Sequence, residues 1–117
     1  MKKYIITGGK LLSGNVDVLG SKNVATKLIV AASLTEEEIV LNNVPLISDV
    51  HVMLDIVKKI GGTVSIEGHS VTVCFKNITD TTIPLELGAK IRPSSMFIAP
   101  LLARCKKAAV PNPGGCR

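Results

Sequence analysis

Between Ser48 and Lys76 the hydrophobic period of the sequence changes from helical to alternating, and that change leaves few folds open. Val50, Met53, Leu54, Val57 and Ile60 recur at helical spacing. Ser48 and Asp49 open the stretch as helix starters, and Gly61 with Gly62 supplies a stop. Directly afterwards "TVSIE", "GHS" and "VTVCF" read as a hairpin of strict alternation. Val71, Val73 and Phe75 share one face of its second strand, and Thr72, Cys74 and Lys76 share the other. A one-sided helix followed by a one-sided hairpin buries both apolar faces by stacking helix on sheet.

The flanking sequence extends this pattern. In "KKYIITGGKLLSGNVDVLG" two short strands are expected, Tyr4–Thr7 and Gly14–Leu19, joined by a glycine turn. Ser21 stands where an N-cap belongs. After it Val24, Ala25, Leu28, Ile29 and Ala32 fall on one stripe, predicting a helix from Lys22 to about Leu34. "EEIVLNNV" reads as a strand and "TTIPLELGAK" as turn and loop. A third helix is expected from about Pro93 to Arg104, kinked or interrupted by Pro100. "AAVP" closes as a short strand and "NPGGCR" as loop. The order ββ-αβ-αββ-αβ implies a mixed α/β or α+β layer structure.

Composition narrows the function classes. A chain of 117 residues suffices for one core. With 46% apolar residues but Tyr4, Phe75 and Phe97 as its only aromatics, that core must be aliphatic. A net charge of +5 favours anionic partners in general. The lysines are scattered, however, without a basic run or an aromatic stacking platform, which argues against nucleic acid. Cys74, Cys105 and Cys116 are widely spaced and only His51 and His69 could join them, so neither a metal site nor a disulfide framework is expected. A reducing cytoplasm suits such usage. The amino terminus does not read as a signal peptide, and the apolar runs fall short of a membrane span.

Candidate chemistry is confined to a few short stretches. "GSKN", Gly20 to Asn23, opens a helix, where free N–H groups, the positive dipole end and the Lys22 ammonium suit a phosphate or carboxylate. On spacing alone, an N-cap beside a solvated lysine is the commoner reading. "TGGK" at Thr7–Lys10 lacks the spacing of a phosphate loop and reads as a turn. In "KIRPSS", Arg92 starts a helix against the dipole preference, which fits either a ligand-holding residue or an ordinary surface arginine. Cys116 follows two glycines and precedes Arg117, a setting that favours a thiolate on an adaptable loop. A spare thiol fits that spacing equally well. Cys74 and Cys105 read as structural, and neither histidine receives a role.

Taken in register, "GSKN" at 20–23, "LNNVPLISDV" at 41–50, "IGGTV" at 60–64, "IRPS" at 91–94 and "PGGC" at 113–116 cover nearly the whole chain. Together they resemble the amino-terminal part of the UDP-N-acetylglucosamine 1-carboxyvinyltransferases, the cell-wall branch of the enolpyruvyl transferase (EPSP synthase-like) family. The shikimate-pathway branch would be expected to carry Ser after the lysine and to lack the PGGC loop, so Asn23 and Cys116 point to the sugar-nucleotide branch. The resemblance implies part of an inside-out α/β barrel built from βαβαββ units. It also implies transfer of enolpyruvyl from phosphoenolpyruvate to the 3-hydroxyl of UDP-N-acetylglucosamine with release of phosphate, in peptidoglycan precursor synthesis, without metal or organic cofactor. Carried over, Lys22 and Arg92 hold the phosphoenolpyruvate anion, and Asn23 contacts the sugar nucleotide. Cys116 becomes the loop cysteine that protonates the enol methylene or forms a phospholactoyl adduct, and that fosfomycin alkylates.

Members of that family are several times longer, with the active site between two similar domains. The resemblance therefore implies that residues 1–21 pack into a second domain and that residues 22–117 form an incomplete first domain. By itself the chain is expected to be inactive and, with half-covered sheets, prone to self-association. Two other readings stand beside this one: a non-catalytic binding module keeping part of the fold, and a piece of the shikimate-pathway enzyme.

Overall fold

A computed structural model of the chain describes residues 2–114. Its elements are α1 (Lys22–Ala32), β1 (Glu38–Leu41), α2 (Ser48–Lys59), β2 (Thr63–Glu67), β3 (Ser70–Cys74), α3 (Leu85–Gly88), a 3-10 segment (Arg92–Phe97) and α4 (Ile98–Cys105). The fold is mixed α/β, as its alternating periods require.

The three strands form one antiparallel sheet in the order β1-β3-β2. Ile39, Val73 and Val64 stand side by side across it, and so do Leu41, Val71 and Ile66. Val71, Val73 and Phe75 are fully buried beneath the helices, while Thr72 and Cys74 are only half-buried on the opposite face. The strict alternation of this strand thus becomes a covered face and an open face. Met53, Leu54, Ile56 and Val57 of α2 and Ile60 just after it complete the core with Ile29, Phe97 and Leu101, all at most 1% exposed. Gly61, with φ of +103°, ends α2 in a conformation that a side chain rarely adopts, which turns the chain directly into β2.

Several expectations are corrected. Residues 2–20 form no strand. Tyr4, Ile5, Ile6, Leu11, Leu12, Val16 and Val18 are each at least 80% exposed. A short strand pair is marginal without a surface to cover it, and alternation alone cannot provide one.

α1 ends at Ala32, and its covered face is rotated from the expected stripe. Ala25, Thr26, Ile29, Val30 and Ala32 are buried, whereas Val24 and Leu28 lie about half exposed. The 3-10 segment packs beside α2 on this helix and draws the Thr26–Val30 side inward. Thr26 satisfies its hydroxyl by donating to the Asn23 carbonyl at 3.2 Å.

The third expected helix is divided into a 3-10 segment and α4. Pro100 has no N–H for the Met96 carbonyl, so α geometry begins only at Ile98, with the proline in its first turn. "TTIPLELGAK" contains the one-turn α3 after Pro84, and the expected closing strand is reduced to a single parallel bridge, Thr82 to Ala109. Pro111 lacks the N–H that would donate to the Ile83 carbonyl and extend that ladder.

Candidate functional site

The starts of three helical elements meet at one end of the molecule. Ser21 is the residue before α1, and its carbonyl accepts the Ala25 N–H at 2.9 Å, but its hydroxyl makes no cap. Ile47 precedes α2, and Ile91 precedes the 3-10 segment. Between these starts opens a cavity of about 400 Å³, lined by Lys22, Asn23, Thr26, Asp49, Lys90, Ile91, Arg92 and Pro93. The sequence candidates Lys22, Asn23 and Arg92, separated by up to 70 positions, line this one cavity. Cys116 lies outside the described residues.

A chain of local contacts sets the position of Lys22. Ser70 Oγ donates to Asn42 Oδ1 at 2.8 Å, and the Val44 N–H donates to the His69 carbonyl at 2.8 Å. His69 Nδ1 lies 3.0 Å from the Val44 carbonyl, which pairs with a proton on that nitrogen. The β2–β3 turn therefore clamps the Asn42–Val44 loop. Within that loop Asn43 takes a left-handed φ of 56° and accepts the Gly20 N–H at 3.0 Å. A Cβ on Gly20 would collide with the Asn43 carbonyl oxygen, so only glycine permits this approach just before Lys22.

Arg92 is placed by a different device. Ser94 is fully buried, and its hydroxyl lies 2.7 Å from the Gly88 carbonyl and 2.6 Å from that of Ile91. It can donate to either and so holds the turn that carries Lys90 and Arg92. Ile91 and Phe97, both buried, anchor the same segment in the core. The chain returns to this turn near its carboxyl side: Ala109 exchanges hydrogen bonds with Thr81 and Ile83, at 2.9 and 2.8 Å. At Gly114 the backbone approaches Ala89 so closely that a Cβ would overlap its carbonyl.

The cavity lining carries three cations, Lys22, Lys90 and Arg92, against one carboxylate, Asp49. Lys22 Nζ donates to Asp49 Oδ2 at 3.0 Å, with both side chains partly exposed. The first turns of α1 and α2 add their positive dipole ends. The arrangement suits a small multivalent anion, for which fixed cations and free helix N–H groups are the standard physical means of binding. No group of three His, Cys, Asp or Glu side chains placed to hold a metal occurs among the described residues.

Sequence reasoning assigned no site role to Asp49, Lys90 or Thr26. Asp49 was legible only as an acid in a helix first turn, and nothing local reveals a partner 27 residues away. Arg104 also went unread. Its guanidinium donates to the carbonyls of Ser33, Thr35 and Phe75 at 3.1, 3.2 and 2.8 Å and pairs with Glu36 at 3.5 Å. It ties the end of α1 to the end of the sheet.

Residues 6–117 match the sequence model of the EPSP synthase (3-phosphoshikimate 1-carboxyvinyltransferase) family. The chain belongs to that family. Within it, the chain is 43% identical over 116 residues to UDP-N-acetylglucosamine 1-carboxyvinyltransferase 1 of Carboxydothermus hydrogenoformans, covering 99% of this chain and 27% of that protein. It is 40% identical to UDP-N-acetylglucosamine 1-carboxyvinyltransferase of Thermotoga maritima, covering 99% of this chain and 28% of that one. Among solved structures, the enolpyruvyl transferase NikO from Streptomyces tendae matches 83% of the chain and 23% of its own length, with a TM-score of 0.75 and 25% identity. This EPSP synthase family chain thus spans just over a quarter of the length of these curated relatives. No helix among the described residues is long and apolar enough to cross a membrane.

Proposed function

We propose that the chain is the amino-terminal part of a cytoplasmic UDP-N-acetylglucosamine 1-carboxyvinyltransferase of peptidoglycan precursor synthesis. One observation carries this reading: Lys22, Asn23 and Arg92 line a single cavity where the first turns of α1 and α2 converge. Phosphoenolpyruvate is a small, multiply charged anion, and this lining has the complementary charge. Lys22 and Arg92 hold its phosphate and carboxylate, and Asn23 contacts the sugar nucleotide. Cys116, two positions after Gly114 in the sequence, delivers the proton to the enol methylene or forms the covalent adduct. The names of the 40–43% identical relatives support the same substrates.

In this reading residues 1–21 belong against a second domain and residues 22–117 form part of the first. The nearly complete exposure of the apolar residues from Tyr4 to Val18 supports that division. General acid delivery and exclusion of water both require a closed site between domains. The chain alone therefore binds phosphoenolpyruvate without turning it over, and its exposed apolar segment promotes self-association.

Calorimetric titration of phosphoenolpyruvate into the chain tests the reading. Lys22→Ala and Arg92→Ala are each expected to weaken binding by about tenfold or more, the worth of a lost charge-assisted hydrogen bond. Unchanged affinity in both variants overturns it. Phosphate release dependent on UDP-N-acetylglucosamine by the 117-residue chain would refute the inactivity of the isolated piece.

A further inference from the structure

We propose that Asp49 is the positioning residue of this cavity: its carboxylate holds the Lys22 ammonium between α1 and α2 and releases it to an incoming phosphorylated anion. The inference deepens, and rests on, the reading of the cavity as an anion site. Asp49 Oδ2 and Lys22 Nζ meet at 3.0 Å across 27 residues of sequence, so no local turn enforces the contact. Asp49 belongs to the first turn of α2 and faces the same space as Lys22, Lys90 and Arg92. Its other oxygen, Oδ1, accepts from Ser48 Oγ at 3.5 Å, the limit of a hydrogen bond.

A carboxylate is the one group of this lining that opposes an anionic guest, and its place on the lysine has two consequences. Asp49 cancels one of three positive charges, which weakens the ground-state attraction for any anion. It also restricts a flexible four-carbon stem, so that the ammonium waits in one orientation. A carboxylate presents to Lys22 the same kind of anionic oxygen that a phosphate would, so exchange of one for the other leaves the ammonium satisfied throughout. Removing Asp49 should therefore produce a split result: a freer Lys22 and tighter binding of the anion. Loss of a purely structural contact would instead loosen binding.

The test uses the 117-residue chain with Asp49→Asn, Asp49→Glu and, as control on the same helix, Asp55→Asn. Trace acylation with acetic anhydride, read lysine by lysine in the absence of ligand, reports the pairing alone. Lys22 is expected to label about twofold to fivefold faster in Asp49→Asn, the factor that a partly exposed ion pair is worth. It should return toward wild type in Asp49→Glu and stay at wild type in Asp55→Asn. Equal labelling of Lys22 in wild type and Asp49→Asn overturns the proposal. Titration with phosphoenolpyruvate at low salt should then show severalfold tighter binding to Asp49→Asn, with a difference that shrinks as salt is raised. Looser binding would reduce Asp49 to a structural contact and also overturn it. Absence of binding by every protein sinks the phosphoenolpyruvate reading instead, and the labelling by itself then decides for or against Asp49.

Discussion

Residues 2–19 and residues 20–114 are both rich in aliphatic side chains, yet only the second stretch folds on itself. In the first, Leu11 and Leu12 are almost fully exposed, and no strand forms despite the alternation of Val16 and Val18. In the second, Val71 and Val73 show the same alternation and are completely buried. The difference lies in the neighbours. β3 is flanked by β1 and β2 and covered by helices, whereas residues 2–19 pair with no strand and meet the body through the long hydrogen bond from Asn43 Nδ2 to the Val18 carbonyl. Apolar pattern states what a strand could bury, and only a partner surface makes burial favourable.

The comparison can be broken most decisively in the core. Phe75→Ala should cost about 3–5 kcal/mol in denaturant unfolding, as expected for a large side chain truncated at a fully packed site. A cost below that of an ordinary surface change would mean that the packed body is not the stable unit. Next in size is Arg104→Met. It leaves the carbonyls of Ser33, Thr35 and Phe75 without their donor and should cost about 1–3 kcal/mol. Hydrogen exchange should then quicken at the end of α1 before it quickens in α2.

Gly20→Ala sharpens the boundary between the regions. The added methyl meets the Asn43 carbonyl, so the start of α1 must shift, with a cost of about 1–3 kcal/mol for an overpacked contact. Phosphoenolpyruvate affinity should fall with it, because Lys22 moves too; unaltered affinity would detach Lys22 from the cavity. The smallest effect is expected from deleting residues 1–19. Midpoint and unfolding free energy should change by no more than about 0.5 kcal/mol, the range for surface changes, because the hydrogen bond from Asn43 Nδ2 to the Val18 carbonyl is long, at 3.4 Å, and exposed. Sedimentation should show less self-association. A large loss of stability would show that the segment has a home on the body after all.

Elements whose local signals agreed were legible in advance. α2, the double glycine and the β2–β3 hairpin each combine period, start and stop, and the structure contains all three; the β3 face follows the expected alternation, whereas α2 also buries Ile56 and β2 leaves Ile66 exposed. α1 was legible as a helix but not in its orientation, because Val24 and Leu28 are as apolar as Ile29 and Val30. Which pair is covered depends on where the 3-10 segment packs. Within the site, Lys22, Asn23 and Arg92 were found through their helix-start positions and their resemblance to a known pattern. Asp49 and Lys90 were not, since an exposed acid in a first turn and a lysine before an arginine are ordinary on any surface.

By itself the sequence determined the elements with strong periodicity and the aliphatic character of the core, because these depend on covalent spacing and side-chain chemistry. Tertiary structure decided that the amino-terminal strands would not form and that Lys22 would meet Asp49. It also decided that two lysines and an arginine would share one cavity. Each of those outcomes depends on distances between residues far apart in the chain, which are set by packing the helices on one face of a three-stranded sheet and by no local rule.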